Sequence, residues 1–543
     1  MFARLSLIFG AALAGLLGTV GASAQESGAT KNRATLEEVV VTARRYEESI
    51  KDAPVSVAVM DGNYVDDQGI TNMQDIIELS PGGVWQEFAR AQPGFSLRGV
   101  YAENFGNASL ESGVQVVVDG IALTKAFMMT PSIFDVQRVE VMRGPQGTSF
   151  GRNAIVGLVH FISARPTQEF EAGLDLSAGS LNLFGLDAFV SGGLTDTLSG
   201  RLAVHHKQTD GGMDDAITGE ALEGTNNISV RGSLFFEPSD TFSAYVKAEY
   251  SEDDDLPYAR FGDKGGIPWL VSPPYVNEYT ESTDDWKTII SPPPPGGFHT
   301  KRNVLLLSSE LIWNLKSDLA VTWLTGYQDG DHDNIQDAWG SPEVLRDQLV
   351  QNEGDLFSTE VRIDNLASAN RLRWLVGANY LADSEYRFED NISFDERGNG
   401  GGRIVPRPET HLQTYGDSET EAFGVFGELT IDLTDQWNVT IGGRYSDDSR
   451  KATIWTDAWG FANAISTVGV VDNGLGDPNR SCLLNVFVDP GTGLDVCGTA
   501  DNPMGFDPID MSDSWDNFSA KVSLTYALDD QNTIYALYSE GFK

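Results

Sequence analysis

From about residue 168 onward, apolar and polar side chains alternate with a period of two over runs of about 10 to 15 residues, the signature of half-buried strands. Between Thr241 and Ser251, Phe242, Ala244, Val246, Ala248 and Tyr250 share one face, and Ser243, Lys247 and Glu249 share the other. Phe423, Val425, Leu429, Ile431 and Leu433 likewise oppose Glu428, Thr430 and Asp432, while Trp437, Val439, Ile441 and Tyr445 oppose Asn438, Thr440, Arg444 and Ser446. Strands of soluble sandwiches average only about 5 or 6 residues, so this length points to a transmembrane antiparallel β-barrel, apolar toward lipid and polar toward the lumen. About 13 such strands follow one another, the last from Thr533 to Tyr538. Short turns at 195–197, 238–240 and 434–436 alternate with long polar loops at 253–300, 387–416 and 451–512, the asymmetry of outer-membrane barrels. An odd strand count, and a chain that stops at Gly541-Phe542-Lys543 just past a strand, make the sequence read as truncated at its C-terminus.

The N-terminal part follows different rules. Arg4, the apolar run Leu5 to Leu17 and the small residues Ala22-Ser23-Ala24 predict a cleaved export signal over 1–24. Residues 25–48 form a polar periplasmic tail containing one β-prone island, Glu37-Glu38-Val39-Val40-Val41-Thr42-Ala43, followed by Arg44-Arg45. Such an island suits strand addition to a partner's sheet edge, and equally suits the first strand of the next domain. Residues 49–166 read as an α+β domain. Val55, Val57 and Val59 alternate as in a strand, Met73, Ile76, Ile77 and Ser80 keep helical spacing until Pro81, and Val114 to Val118 closes on an Asp119-Gly120 turn. The rest of the chain, 167–543, is the barrel.

Composition narrows the function. Lys and Arg number 37 against 79 Asp and Glu, a formal net charge of −42, which excludes a nucleic-acid binder. The two cysteines, Cys482 and Cys497, share the last long loop, where they form a local disulfide or remain two free thiols. Enzymatic readings find no support. Gly144 to Gly151 lacks the lysine of a phosphate-binding loop, and the six histidines show no metalloprotease spacing. His205 and His206 point to opposite faces of a strand, and the acidic cluster Glu252 to Asp255 lacks calcium-loop spacing and reads as a solvated outer loop. No cofactor, metal site or catalytic residue is expected.

The most specific stretch, FDVQRVEVMRGPQGTSFGRNAIVGLVHFISARP over 134–166, together with Phe95-Ser96-Leu97-Arg98-Gly99 and Val117-Val118-Asp119-Gly120, resembles the plug domain of TonB-dependent outer-membrane receptors. His160 departs from the asparagine frequent in that family. The resemblance implies a 22-stranded barrel filled by the N-terminal plug, with about nine strands beyond those present here. It makes residues 37–43 the docking segment for a TonB-type periplasmic energy transducer. It also suggests that Arg98 and Arg143 lock the plug to barrel glutamates, with Glu360 and Glu428 as the lumen-facing candidates; solvated lumen charges are the alternative. Trp85, Tyr101, Glu103, Asn104 and Phe105 become candidate ligand contacts. The implied function is active import of a scarce small molecule, most often a ferric siderophore or other iron complex, by a monomer in the outer-membrane lipid. Cobalamin, haem or oligosaccharide uptake, and a passive porin or adhesin barrel, remain as alternatives.

Overall fold

A computed structural model of the chain describes residues 39–42, 44–102, 112–215, 218–258, 287–288, 294, 296–316, 318–338, 347–368, 370–393, 410–459, 508–529 and 532–542. The expected export signal, Glu37, Glu38, Ala43, Glu103, Asn104, Phe105, Cys482 and Cys497 lie outside the described residues.

Strands whose successive side chains enter two different cores build the centre of the N-terminal domain. A five-stranded sheet runs in the order Ser56–Asp61, Val136–Arg143, Gly157–Ser163, Val114–Val118, Ile121–Leu123, and only the third and fourth of these are parallel. Val114, Val116, Val139, Val141, Val159 and Phe161 face one core, which two short helices complete with Val65, Met73, Ile76 and Ile77. Their neighbours Val117, Met142 and Leu158 face a second core, closed by Val41, Ala53, Val55 and Phe150. Helix Met73–Leu79 occupies the segment that the apolar spacing marks; Asn72 caps it by accepting from the Asp75 N–H, and Ser80, ahead of Pro81, is already extended. Helix Gly62–Gln68 escapes sequence reading because it buries only Val65, yet Asp61 caps its start and left-handed Gly69 ends it.

Thirteen antiparallel strands make the second sheet: Glu171–Ala178, Phe184–Thr195, Leu198–Thr209, Thr225–Ser239, Phe242–Asp255, His299–Lys316, Leu319–Asp337, Asp347–Asp364, Leu372–Ser393, Thr410–Asp432, Trp437–Trp459, Ile509–Ala527 and Thr533–Ser539. Its outer face exposes Val246, Tyr250, Trp323, Val376, Val425, Ile441 and Val522, whereas Lys247, Thr440, Arg444 and Ser446 are buried on the lumen side. Near the short turns, Trp437 packs on Tyr526 and Phe242 on Trp313, as aromatic girdles do at a membrane boundary.

The strands are longer than the alternation alone suggests. Those spanning 372–459 each run 22 or 23 residues. At about 3.3 Å per residue they extend well past a hydrocarbon layer of about 30 Å, even when tilted. Backbone pairing therefore continues through polar sequence that reads as loop, and the two ends of each expected loop, 387–393 and 410–416 of the first and 451–459 and 509–512 of the second, are strand. The acidic run Glu252 to Asp255 is corrected in the same way: it ends strand Phe242–Asp255, and Asp253 turns inward to Arg302.

The Asp119-Gly120 turn shows how closely the two sheets approach. Both residues have positive φ, 48° and 84°, and a Cβ on Gly120 would lie 2.8 Å from the Leu324 side chain of the barrel wall. Gly120→Val adds left-handed strain of about 1–2 kcal/mol to this overlap. It is expected to lower the unfolding temperature of the N-terminal domain in calorimetry of the purified protein, while the barrel transition stays in place.

Candidate functional site

From Val40 onward the described residues ahead of the domain pack against it. Val40–Val41 pairs antiparallel with Glu48–Ser49, and Val41 is fully buried in the second core. The Thr42 backbone N–H donates to both carboxylate oxygens of Glu140, at 2.9 and 3.1 Å. Arg44 pairs with Glu48 and with Glu428 of the barrel wall at 3.2 Å. Arg45 lies 3.3 Å from Glu360, donates to the carbonyls of Ser149 and Gly120, and stacks over the Phe150 ring. Arg44 also reaches Thr430 and Thr440, on the two strands that the short 433–436 turn joins and near that turn, so Arg44 sits at the short-turn end of the barrel.

The wall grips the rest of the domain with side chains from many strands. Arg201 pairs with Asp135, Arg231 donates to the carbonyls of Phe134 and Asp135, and Arg302 donates to those of Phe127 and Thr130. Lys247 sits 2.6 Å from Asp119, and Lys125 lies 2.6 Å from Asp383 with both groups buried. The Ser539 hydroxyl, at the end of the thirteenth strand, donates to the Pro145 carbonyl, and just past that strand the Phe542 carbonyl accepts from the Asn153 N–H. The domain therefore fills the lumen as a plug.

The expected lock is corrected in its arginines. Glu360 and Glu428 do face the lumen and do bind plug arginines, but these are Arg45 and Arg44. Among the described residues, Arg98 and Arg143 pair with neither glutamate. Arg98 occupies the tip of the 92–102 hairpin with φ 54°, exposed, its guanidinium lying over Gly144. Arg143 ends a strand of the five-stranded sheet, and its buried Nε has no hydrogen-bond partner among the described residues. The signal for the observed pair was the dibasic Arg44-Arg45 immediately after the valine island. Arg231, Lys247 and Arg302 had no signal, because a lumen-facing cation on an amphipathic strand reads as solvated, and Lys125 of the plug had none because nothing local marks its wall partner.

At the opposite end, where the long connections leave, a cavity of about 210 Å³ opens between plug and wall, lined by Trp85, Glu87, Arg90, Lys207, Asp255 and Tyr258 among others. Trp85 stacks on Phe95 with ring centroids 5.9 Å apart, placing this candidate ligand contact in the cavity lining. Arg90 lies over the Tyr258 ring, whose hydroxyl donates to Glu87 at 2.6 Å. Burial pushes the Glu87 carboxyl above its ordinary range, against the pull of Tyr258 and Arg90. Tyr101 belongs to strand Val100–Ala102, paired to Ser96 at the next hairpin. Among the described residues no three His, Cys, Asp or Glu side chains converge as a metal site.

A lumen-filling plug inside an antiparallel wall with an apolar outer band defines a plugged β-barrel of the bacterial outer membrane. Residues 49–158 match the family described as TonB-dependent Receptor Plug Domain, and residues 247–543 match TonB dependent receptor-like, beta-barrel. The chain belongs to the TonB-dependent receptor family. It is similar to the ferripyoverdine receptor of Pseudomonas aeruginosa, at 27% identity over 75% of this chain and 49% of that protein. The pesticin receptor of Yersinia pestis is also 27% identical, over 52% of this chain and 44% of that protein. The chain thus spans about half the length of these relatives. The crystal structure of the ferric yersiniabactin uptake receptor FyuA from Yersinia pestis shares the fold with a TM-score of 0.67 at 19% identity, covering 89% of this chain and 63% of that one.

Two buried groups make plug stability depend on pH. Burial lowers the His160 pKa from 6.5 to about 4, against the opposing fields of Glu140 and Asp119. Folded His160 holds its proton more weakly than unfolded His160, so its contribution is full above pH 6.5 and is lost as pH falls from there to about 4. Urea unfolding of the plug is expected to lose on the order of 3 kcal/mol across that window, with a shallower slope in His160→Asn. Burial would raise Asp119, but Lys247 outweighs it and holds the carboxyl well below its usual range. Lys247→Met leaves that carboxylate buried without its cation and is expected to cost about 3–5 kcal/mol at neutral pH in the same assay.

Proposed function

We propose that this protein imports a ferric siderophore or a related iron complex across the outer membrane, driven through its N-terminal segment by a TonB-type periplasmic energy transducer. The observation that carries this reading is the grip on the plug: wall side chains from the third strand to the thirteenth hold it, so clearing a path for cargo along the wall means displacing it. Displacement breaks several buried ion pairs, each costly to separate, and therefore requires work. The outer membrane holds no ATP, and force derived from the inner-membrane proton gradient, delivered through a partner that adds a strand to residues 37–43, supplies that work.

The placement of parts supports the direction. The cavity with Trp85, Arg90 and Tyr258 lies at the end with long connections, which in outer-membrane barrels faces outward. Arg44, which follows the docking segment in sequence, lies at the end with short turns, which faces the periplasm. The names of the relatives, a ferripyoverdine receptor and a ferric yersiniabactin uptake receptor, favour an iron complex as cargo.

Deleting residues 37–43 is expected to reduce uptake of radiolabelled ferric siderophore to background in iron-starved cells, while the protein still fractionates with outer membranes. Unimpaired uptake by that variant would overturn energised import in favour of a passive pore.

A further inference from the structure

Two polar side chains stand out on the plug face that packs under the N-terminal segment. Glu140 and His160 are register partners on adjacent strands, and their neighbours on that face are Met142, Leu158, Val117 and Val59. Glu140 is 0% and His160 5% exposed. A carboxylate and an imidazole in such surroundings are retained only where donors and acceptors satisfy them.

Those partners converge on one residue, Thr42. Its N–H and its hydroxyl both lie within 3.1 Å of the Glu140 carboxylate, which also accepts from Arg138 Nε at 2.8 Å. The Thr42 hydroxyl lies 3.2 Å from His160 Nδ1, and the Gly120 backbone N–H donates to His160 Nε2 at 3.1 Å. A nitrogen that accepts from a backbone N–H carries no proton, so the neutral ring is protonated at Nδ1 and donates to the Thr42 hydroxyl, which in turn donates to Glu140. The chain of donors runs in one direction, from Gly120 through His160 and Thr42 to Glu140. Gly120 adjoins Asp119, which Lys247 ties to the barrel wall.

We propose that Glu140 and His160 form a clasp for Thr42 that parks the segment docked by the periplasmic partner against the plug, with His160 as the positioning residue linking it to the wall-bound Asp119-Gly120 turn. This rests on the reading of residues 37–43 as the docking segment. In the parked state Val41 is buried and the Thr42 N–H is taken, so neither is free for strand addition. Freeing the segment means releasing Thr42, and the strength of the clasp sets how often this happens without the partner.

Trypsin reports that opening, because Arg44 and Arg45 follow the clasp and are themselves held in buried ion pairs. The full-length protein, purified in detergent, is digested and followed by mass spectrometry for peptides beginning at Arg45 or Tyr46, with cleavage after Arg143 as an internal measure of general loosening. His160→Phe keeps the ring without its nitrogens, and Thr42→Val keeps the shape without the hydroxyl. Each is expected to raise cleavage after Arg44 and Arg45 about fivefold to thirtyfold, the factor for losing one or two buried hydrogen bonds, with Arg143 unchanged. The double variant is expected to be cleaved no faster than Thr42→Val alone, because both changes break the same contact. Cleavage within twofold of the parent in Thr42→Val, an equal rise after Arg143, or additive effects in the double variant would each overturn the clasp. The readout needs neither ligand nor partner. Failure of the clasp therefore leaves the deletion test of import standing, and unimpaired import after deletion leaves the clasp standing.

Discussion

A charge placed inside a plugged barrel has little water to solvate it, and this constraint shapes both sheets. Plug and wall each bring many ionisable groups to their shared surface, and those groups are matched across it rather than left to solvent. Lys125 with Asp383 and Lys247 with Asp119 are the clearest cases, the lysine being almost wholly buried in both. Separating such a pair without water costs more than the attraction contributes to holding it, so a matched interface is less a glue than a penalty against partial displacement. Small displacements are resisted strongly, and a motion large enough to admit water is resisted less.

The matching is also polar in direction around the wall. Strands from Leu198 to Lys316 contribute cations, Arg201, Arg231, Lys247 and Arg302, which hold the plug segment 119–135 largely through backbone carbonyls and two aspartates. Strands from Asp347 to Asp432 contribute carboxylates, Glu360, Asp383 and Glu428, and the plug answers with Arg45, Lys125 and Arg44. The first group grips an internal strand connection held at both ends by the five-stranded sheet. Two of the three contacts in the second group grip a segment that leads directly to the docking residues. Force applied near residue 40 therefore meets the Arg44 and Arg45 pairs before any contact of the first group.

The strand pattern was legible because alternation follows from geometry: a strand between lipid and a polar lumen cannot avoid a period of two. Glu360 and Glu428 were reached by that parity once the family resemblance had suggested wall glutamates as partners of the plug. Their partners were not, since pairing across the interface depends on where the plug sits, and no local pattern encodes it. Arg98 illustrates the point. It lies in the motif that marks the plug, but its place at a hairpin tip with positive φ carries it away from the wall glutamates. The outer strand ends were misread for a related reason: beyond the membrane no alternation is imposed, and only backbone pairing shows that 451–459 is still strand.

Glu140 and His160 belong to a different class of signal. In VEVM and LVHFIS each polar residue interrupts a strand otherwise built to be buried on both faces. Either one alone reads as a satisfied core residue. Their register pairing, fixed by the sheet, places both in the same spot on the same face, where one incoming backbone N–H and one hydroxyl satisfy them together. The apolar face supplies affinity for any short β-prone segment, since Val41 gains by burial wherever it lands. The two polar groups add the requirement that an N–H and a hydroxyl arrive at a fixed point, and Thr42, directly after Val40-Val41, meets it. Hydrophobic burial holds the segment to the face, and the polar pair decides which residue of the segment sits where.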